Sequence, residues 1–230
     1  MTEPRKLVIA IDGPAGAGKS TIASRLARKL GYVNLESGAM YRALALKAIM
    51  NDISFDDADA LLLLAEKSKI ELQPQIDGNR VLLDTEDVSR RIRERDVTEA
   101  ASRVSVHPAV RAWMVARQRD MGVNGGVIME GRDIGTVVFP NADLKVFLDA
   151  DPTVRAERRI EQVQAKDPAA AKALVDDLKR RDQRDATRTA SPLAPAADAI
   201  VLDSSKLGID DVMARITELI AERTAAAAHE

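Results

Sequence analysis

A chain of 230 residues, 46% hydrophobic and 30% charged, is rich enough in apolar side chains to bury a core, so a disordered chain is excluded and one globular domain with an inserted lobe is expected. A net charge of -2 excludes the global basic field that draws proteins to nucleic acid or to an anionic membrane, so any basic site must be local. With no cysteine, disulfides and thiolate-bound zinc are excluded, and two histidines, His107 and His229, leave little for a metal cluster.

Leu7 to Ile11 is a continuous apolar run closed by Asp12, which reads as a strand buried on both faces of a parallel sheet. It is too short for a signal segment or a membrane span, so a cytoplasmic setting is expected. Gly13-Pro14-Ala15-Gly16-Ala17-Gly18-Lys19-Ser20 follows and fits the P-loop pattern G-x-x-x-x-G-K-[ST]. Its glycines let backbone N–H groups turn inward onto phosphate oxygens. Lys19 adds a mobile charge for the β- and γ-phosphates, Ser20 offers a hydroxyl to Mg²⁺, and Thr21 can reach the α-phosphate. Lys19 to Leu30 has helical spacing, with Ile22, Leu26 and Leu30 on one stripe and Gly31 placed to cap its end.

Helical stretches are expected over about Ala39 to Met50 and Asp56 to Ser68. Ile70 to Asp84 then changes period: two short apolar runs flank Asp77-Gly78-Asn79, a tight-turn signal, so an antiparallel hairpin is expected there. Further helices are expected near Pro108 to Met121, Pro152 to Lys166, Ala169 to Asp185 and Ile209 to Arg223. Val127 to Met129, Leu144 to Leu148 and Ala199 to Leu202 read as buried strands. Residues 225–230 read as a low-complexity tail that frays. The alternation implies an α/β fold: a P-loop NTPase core with a central parallel sheet flanked by helices and phosphate sites at the carboxyl ends of its strands.

A P-loop alone suits switches, motors and small-molecule kinases alike, so the arginines must discriminate. Ser37-Gly38-Ala39-Met40-Tyr41-Arg42 ends in an aromatic beside a guanidinium, fit to pack a base and grip a phosphate. Gly131-Arg132-Asp133-Ile134-Gly135 follows a strand, so Arg132 and Asp133 emerge at the sheet's carboxyl edge. In Arg181-Asp182-Gln183-Arg184-Asp185-Ala186-Thr187-Arg188, a helix would put Arg181, Arg184, Asp185 and Arg188 on one face. No N-K-x-D stands near the end to specify guanine, which argues against a regulatory switch.

Together with Ile11-Asp12-Gly13-Pro14, the run Gly131 to Pro140 and Leu202-Asp203-Ser204-Ser205, these motifs resemble the bacterial-type cytidylate kinases, a family of P-loop nucleoside monophosphate kinases, over nearly the whole chain. The resemblance implies ATP-dependent phosphorylation of CMP and dCMP with Mg²⁺, by a monomer that binds neither nucleic acid nor membrane. It implies a core of about 1–40, 104–150 and 190–224, an NMP-binding lobe of about 41–103 carrying a small antiparallel sheet, and a helical lid of about 151–189. By motif, Ser37 and Asp185 would recognise the cytosine, Ser102 and Arg111 would complete its pocket, and Tyr41 would pack nearby. Arg42 and Arg132 would bind the acceptor phosphate, with Asp133 near the sugar or the phosphate network. Arg181, Asp185 and Arg188 would link the acceptor to the lid. Arg155, Arg158 and Arg159 resemble lid arginines, of which Arg158 is expected to reach the transferred phosphoryl group. Lys19, Arg132, Arg158 and Arg188 are the expected catalytic residues. The chain departs from the family pattern at Glu130, where an aspartate is usual, which puts a direct Mg²⁺ role there in doubt.

Overall fold

The structure is a computed structural model that describes residues 6–75, 78–164 and 167–227. The first apolar run forms β1 (Val8–Asp12), the central strand of a five-stranded parallel sheet of order β2-β6-β1-β7-β8. Its neighbours are β6 (Val127–Gly131), buried along its whole length, and β7 (Leu144–Asp149). β2 (Val33–Glu36) and β8 (Ile200–Asp203) form the edges. Ile128 and Met129 show why continuous apolar runs are needed here: adjacent and fully buried, they serve the cores on opposite faces. Truncating either to Ala costs about 2–5 kcal/mol.

On one face α1 (Lys19–Leu30) and α8 (Ile209–Ala227) pack Ile22, Leu26, Ile216 and Leu219 onto Ile9, Ile11 and Val146. On the other, α5 (Pro108–Gly122) and a π-helical turn over Ile134–Val138 bury Val115, Ile134 and Val138 against Ala10, Leu35 and Met129. A third core joins α2 (Ser37–Met50), α3 (Ala58–Glu66) and α4 (Arg95–Val104) to α5 and to a small antiparallel sheet of β3 (Ile70–Gln75), β4 (Gly78–Leu83) and β5 (Glu86–Asp87). Two further helices, α6 (Pro152–Val163) and α7 (Pro168–Thr187), pack on each other beyond β7, each begun by an Asp side chain and a Pro at its first position.

The expected hairpin is present, though Asp77 of its turn lies outside the described residues, as does Lys166, the expected end of the helix from Pro152. Five elements go beyond the sequence expectations: β2, β5, a 3-10 turn over Arg91–Arg93, α4 and the π turn. β2 has four residues interrupted by Asn34, and α4 mixes charge into every turn, so neither offers an apolar run. The final helix reaches Ala227, so residues 225–227 belong to it rather than to a tail, while 228–230 lie outside the described residues. No described helix is long and apolar enough to cross a membrane.

Candidate active site

At the carboxyl edge of the sheet the chain leaves β1 through Gly13, at φ 144°, where a Cβ would lie 1.9 Å from the Leu148 carbonyl oxygen on β7. Only glycine allows that close exit. α1 then begins with no capping side chain, so its first N–H groups and positive dipole end are open to an anion. Ala15, Gly16, Lys19 and Ser20 line a cavity of about 630 Å³, while Gly13, Pro14, Ala17, Gly18 and Thr21 shape the loop from off its wall. The buried Lys19 ammonium donates back to the Pro14 carbonyl at 2.7 Å. Burial first, then the Arg132 charge, press its pKa down to about 7 against the pull of Glu130 and Asp12. Ser20 hydrogen-bonds Glu130, whose carboxyl is raised by burial and by nearby Glu36. A hydroxyl beside a carboxylate is a hard oxygen donor set that suits Mg²⁺, so these residues fit the metal that the loop implies.

Across the cavity, Ser37 donates to the Glu130 carbonyl at 2.7 Å, and Gly131 makes room for it, since a Cβ there would stand 2.6 Å from Ser37 Oγ. β2 pairs with β6 so that Glu36 lies beside Glu130, and the Glu36 carboxylate holds Arg42 and, at 3.3 Å, Arg93. Burial opposes its charge, but those two arginines keep Glu36 below the usual carboxylate range. Arg111 donates to Asp133 and, at 3.1 Å, to the Ser105 carbonyl, with its guanidinium 5.5 Å from the centre of the Tyr41 ring. Asp185 accepts from Arg132 at 2.8 Å, with Arg188 at 3.7 Å and Arg181 at 4.0 Å. Although burial penalises its charge, these cations hold Asp185 low. Burial and Arg132 in turn lower Arg181 to about 10.

Every residue expected at the acceptor site therefore lines this one cavity: Ser37, Tyr41, Arg42, Ser102, Arg111, Arg132, Asp133, Arg181, Asp185 and Arg188. Four buried polar groups among them, Ser102 Oγ, Arg42 Nε, Arg111 Nε and Arg188 Nη2, have no hydrogen-bond partner. Unpaired polar groups converging on a cavity mark a place for a polar ligand.

The three arginines of α6 go to different places. Arg158 does not line the cavity: it donates to Ser204 Oγ at 3.0 Å and to the Ser204 carbonyl at 2.7 Å, at the residue that follows β8. One residue along a helix turns the side chain by about 100°. Arg159 accordingly faces the cavity, where Arg158 does not. Arg155, one turn before Arg159, is buried and donates to Ala150 and Ala15 carbonyls and to Asp182 at 2.5 Å, bracing the P-loop against α7. The sequence reading also missed Glu36 and Arg93, whose element β2 and short 3-10 turn (Arg91–Arg93) carry no strong local signal, and Arg95, which reaches Asp177 at 2.8 Å and so joins α4 to α7 across the cavity mouth.

Comparison with known proteins agrees with this geometry. The family model described as cytidylate kinase matches residues 9–222. The cytidylate kinase of Solibacter usitatus (strain Ellin6076) is 46% identical over 225 residues, 96% of this chain and 95% of that one. That of Geobacillus sp. (strain WCH70) is 47% identical over 216 residues, 94% of this chain and 96% of that one. Among solved structures, a gluconokinase from Sinorhizobium meliloti 1021 superposes with a TM-score of 0.50 at 14% identity, covering 96% of this chain and 99% of that one, a likeness of fold alone. From a match that spans both the P-loop and the arginine-lined wall across the cavity from it, the chain belongs to the cytidylate kinase family.

Proposed function

We propose that this protein transfers the γ-phosphoryl group of ATP to CMP, and to dCMP as a second acceptor, giving ADP and CDP or dCDP. The observation that carries this reading is the joining, in one cavity, of a P-loop with Lys19 and Ser20 to a wall of Ser37, Ser102, Arg111, Asp185 and several arginines. A P-loop needs a triphosphate, and Asp185 with two serines offers the mixed acceptors and donors that a cytosine edge requires. Arg42, Arg132, Arg181 and Arg188 supply the charge that an acceptor phosphate needs in a chain whose net charge is -2.

The acceptor phosphate oxygen is already a nucleophile at neutral pH, so no general base is required. An oxygen of CMP forms the new bond to Pγ while the bond from Pγ to the bridging oxygen breaks and ADP leaves. Lys19 and the backbone N–H groups of the P-loop hold the donor phosphates, and Arg132 and Arg188 align the acceptor and offset the charge between the two. Ser20, with Glu130 behind it, would hold Mg²⁺, which would supply charge neutralisation when bound. Of the lid arginines, Arg159, which lines the cavity, would reach the transferred group. Closure of the lobe of about 41–103 and the lid of about 151–189 over the core would keep water from Pγ. The protein would act as a cytoplasmic monomer.

Lys19→Ala tests the donor side. The variant should keep its circular dichroism spectrum and lose phosphoryl transfer from ATP to CMP; near-normal turnover would remove Lys19 from the mechanism.

A further inference from the structure

Asp12 ends β1 and is 5% exposed, and it does not line the nucleotide cavity. Its carboxylate accepts two backbone N–H groups from the far side of the acceptor loop: Ile134 donates to Oδ1 at 2.8 Å and Gly135 to Oδ2 at 2.7 Å. In the sheet, Asp12 also stands in register with Gly131. Arg132 and Asp133 are therefore the two residues that lie between points fixed to Asp12, one through the strand pairing and one through the carboxylate. Immediately after Asp12 the P-loop begins.

We propose that Asp12 is a positioning residue that ties the acceptor loop to the phosphate loop, setting where Arg132 and Asp133 stand relative to Lys19. The loop it holds is tightly specified. Asp133 sits at φ -147° and ψ 25°, its carbonyl accepts from Val137 at 2.9 Å and Val138 at 3.2 Å to close the π turn, and a Cβ on Gly135 would come within 3.4 Å of Asp12 Oδ2 and 3.2 Å of Lys145 Cδ. Two N–H donors need two acceptors. A carboxylate supplies both, whereas an asparagine would accept one and set its own N–H against the other. A buried carboxylate is also a costly way to fix a turn for stability alone. Burial raises its pKa to about 6, the Gly135 and Ile134 N–H groups pull it back, and of the charged groups facing it Asp133 disfavours and Lys19 favours its ionised form.

This inference rests on the assignment of Arg132 and Asp133 to CMP, and the experiment separates the two. Dissociation constants for CMP and for a non-hydrolysable ATP analogue, kcat and KM, and the thermal unfolding midpoint are measured for the unaltered protein, Asp12→Asn, Asp12→Ala and Arg132→Ala. Expected is a CMP constant weakened about tenfold in Asp12→Asn and further in Asp12→Ala, kcat lowered with it, and an ATP-analogue constant within about threefold of the unaltered value. A purely structural role would move the unfolding midpoint and leave the CMP constant of the folded variants within about twofold, which overturns the inference. Equal weakening of both nucleotides also overturns it. If Arg132→Ala leaves CMP binding unchanged, the acceptor assignment falls and this inference with it; if Arg132→Ala weakens CMP and the Asp12 variants do not, the inference alone falls. Should neither Asp12 variant fold, amide hydrogen exchange in the unaltered protein decides. Ile134 and Gly135 protected as strongly as β6 support the clamp, and exchange at an open-loop rate overturns it.

Discussion

Arg132 donates to Asp185 at 2.8 Å across 53 residues of chain, joining the loop after β6 to α7. Asp185 also faces Arg181 and Arg188, so a single carboxylate balances three cations on the cavity wall. Asp185→Asn keeps the shape and removes that balance. We expect kcat/KM for CMP to fall about 100-fold, mostly through KM, because the arginines lose the partner that orients them and the base loses an acceptor. Steady-state kinetics with CMP varied at saturating ATP checks this.

Ser102 makes the opposite kind of prediction. Its hydroxyl is buried with no partner, so Ser102→Ala removes an unsatisfied group and should leave the unfolding midpoint unchanged or slightly raised. KM for CMP should nevertheless rise about tenfold if the hydroxyl bonds the nucleotide. Thermal unfolding and CMP kinetics on the same preparation separate the two effects.

Arg158 and Arg159 are adjacent and should behave differently. Arg159→Ala removes a cation from the cavity wall and is expected to lower kcat about 100-fold with little change in stability. Arg158→Ala breaks two hydrogen bonds to Ser204 and should lower the unfolding midpoint while kcat stays within about threefold. Single-turnover rates with both variants check the assignment.

The pKa of Asp12, about 6 against an ordinary 3.8, predicts a pH dependence of stability. Between those values the folded chain retains a proton that the unfolded chain has lost. This group therefore subtracts stability as pH rises from about 4 to 6, by at most about 3 kcal/mol. Glu36 and Asp185, held low, act in the opposite sense, losing stability as pH falls, so the contribution of Asp12 is read as a difference. Urea unfolding of the unaltered protein and of Asp12→Asn at pH 4, 5, 6 and 7 (about one pH unit apart) should show the variant gaining relative stability with pH and levelling off above about 7.

Much of the site is legible in the sequence because its residues sit where strands and helices with strong local signals end. The run before Asp12 and the helix after Lys19 place the P-loop, and Val127 to Met129 place Arg132 and Asp133 at the sheet edge. Ser102 and Arg111 came from the family pattern: α4, which carries Ser102, has no apolar run to announce it, and α5, which carries Arg111, is legible as a helix without showing what that arginine meets. That Arg159 and not Arg158 lines the cavity was not legible, because a run of arginines shows no helix phase until the helix is docked. Glu36 and Arg93 were invisible because their roles depend on β2 pairing with β6 and on a 3-10 turn reaching across to it, contacts made only in the tertiary structure.

The most direct test of the central claim is initial rate with ATP across CMP, dCMP, UMP, dTMP, AMP and GMP in one coupled assay of ADP formation. The cavity predicts kcat/KM highest for CMP, with dCMP next and UMP lower by about 100-fold or more, since exchanging the cytosine amino group for a carbonyl leaves the Asp185 carboxylate facing an acceptor. Turnover of UMP or AMP with none of CMP would contradict the assignment of Ser37, Ser102 and Asp185 to a cytosine base.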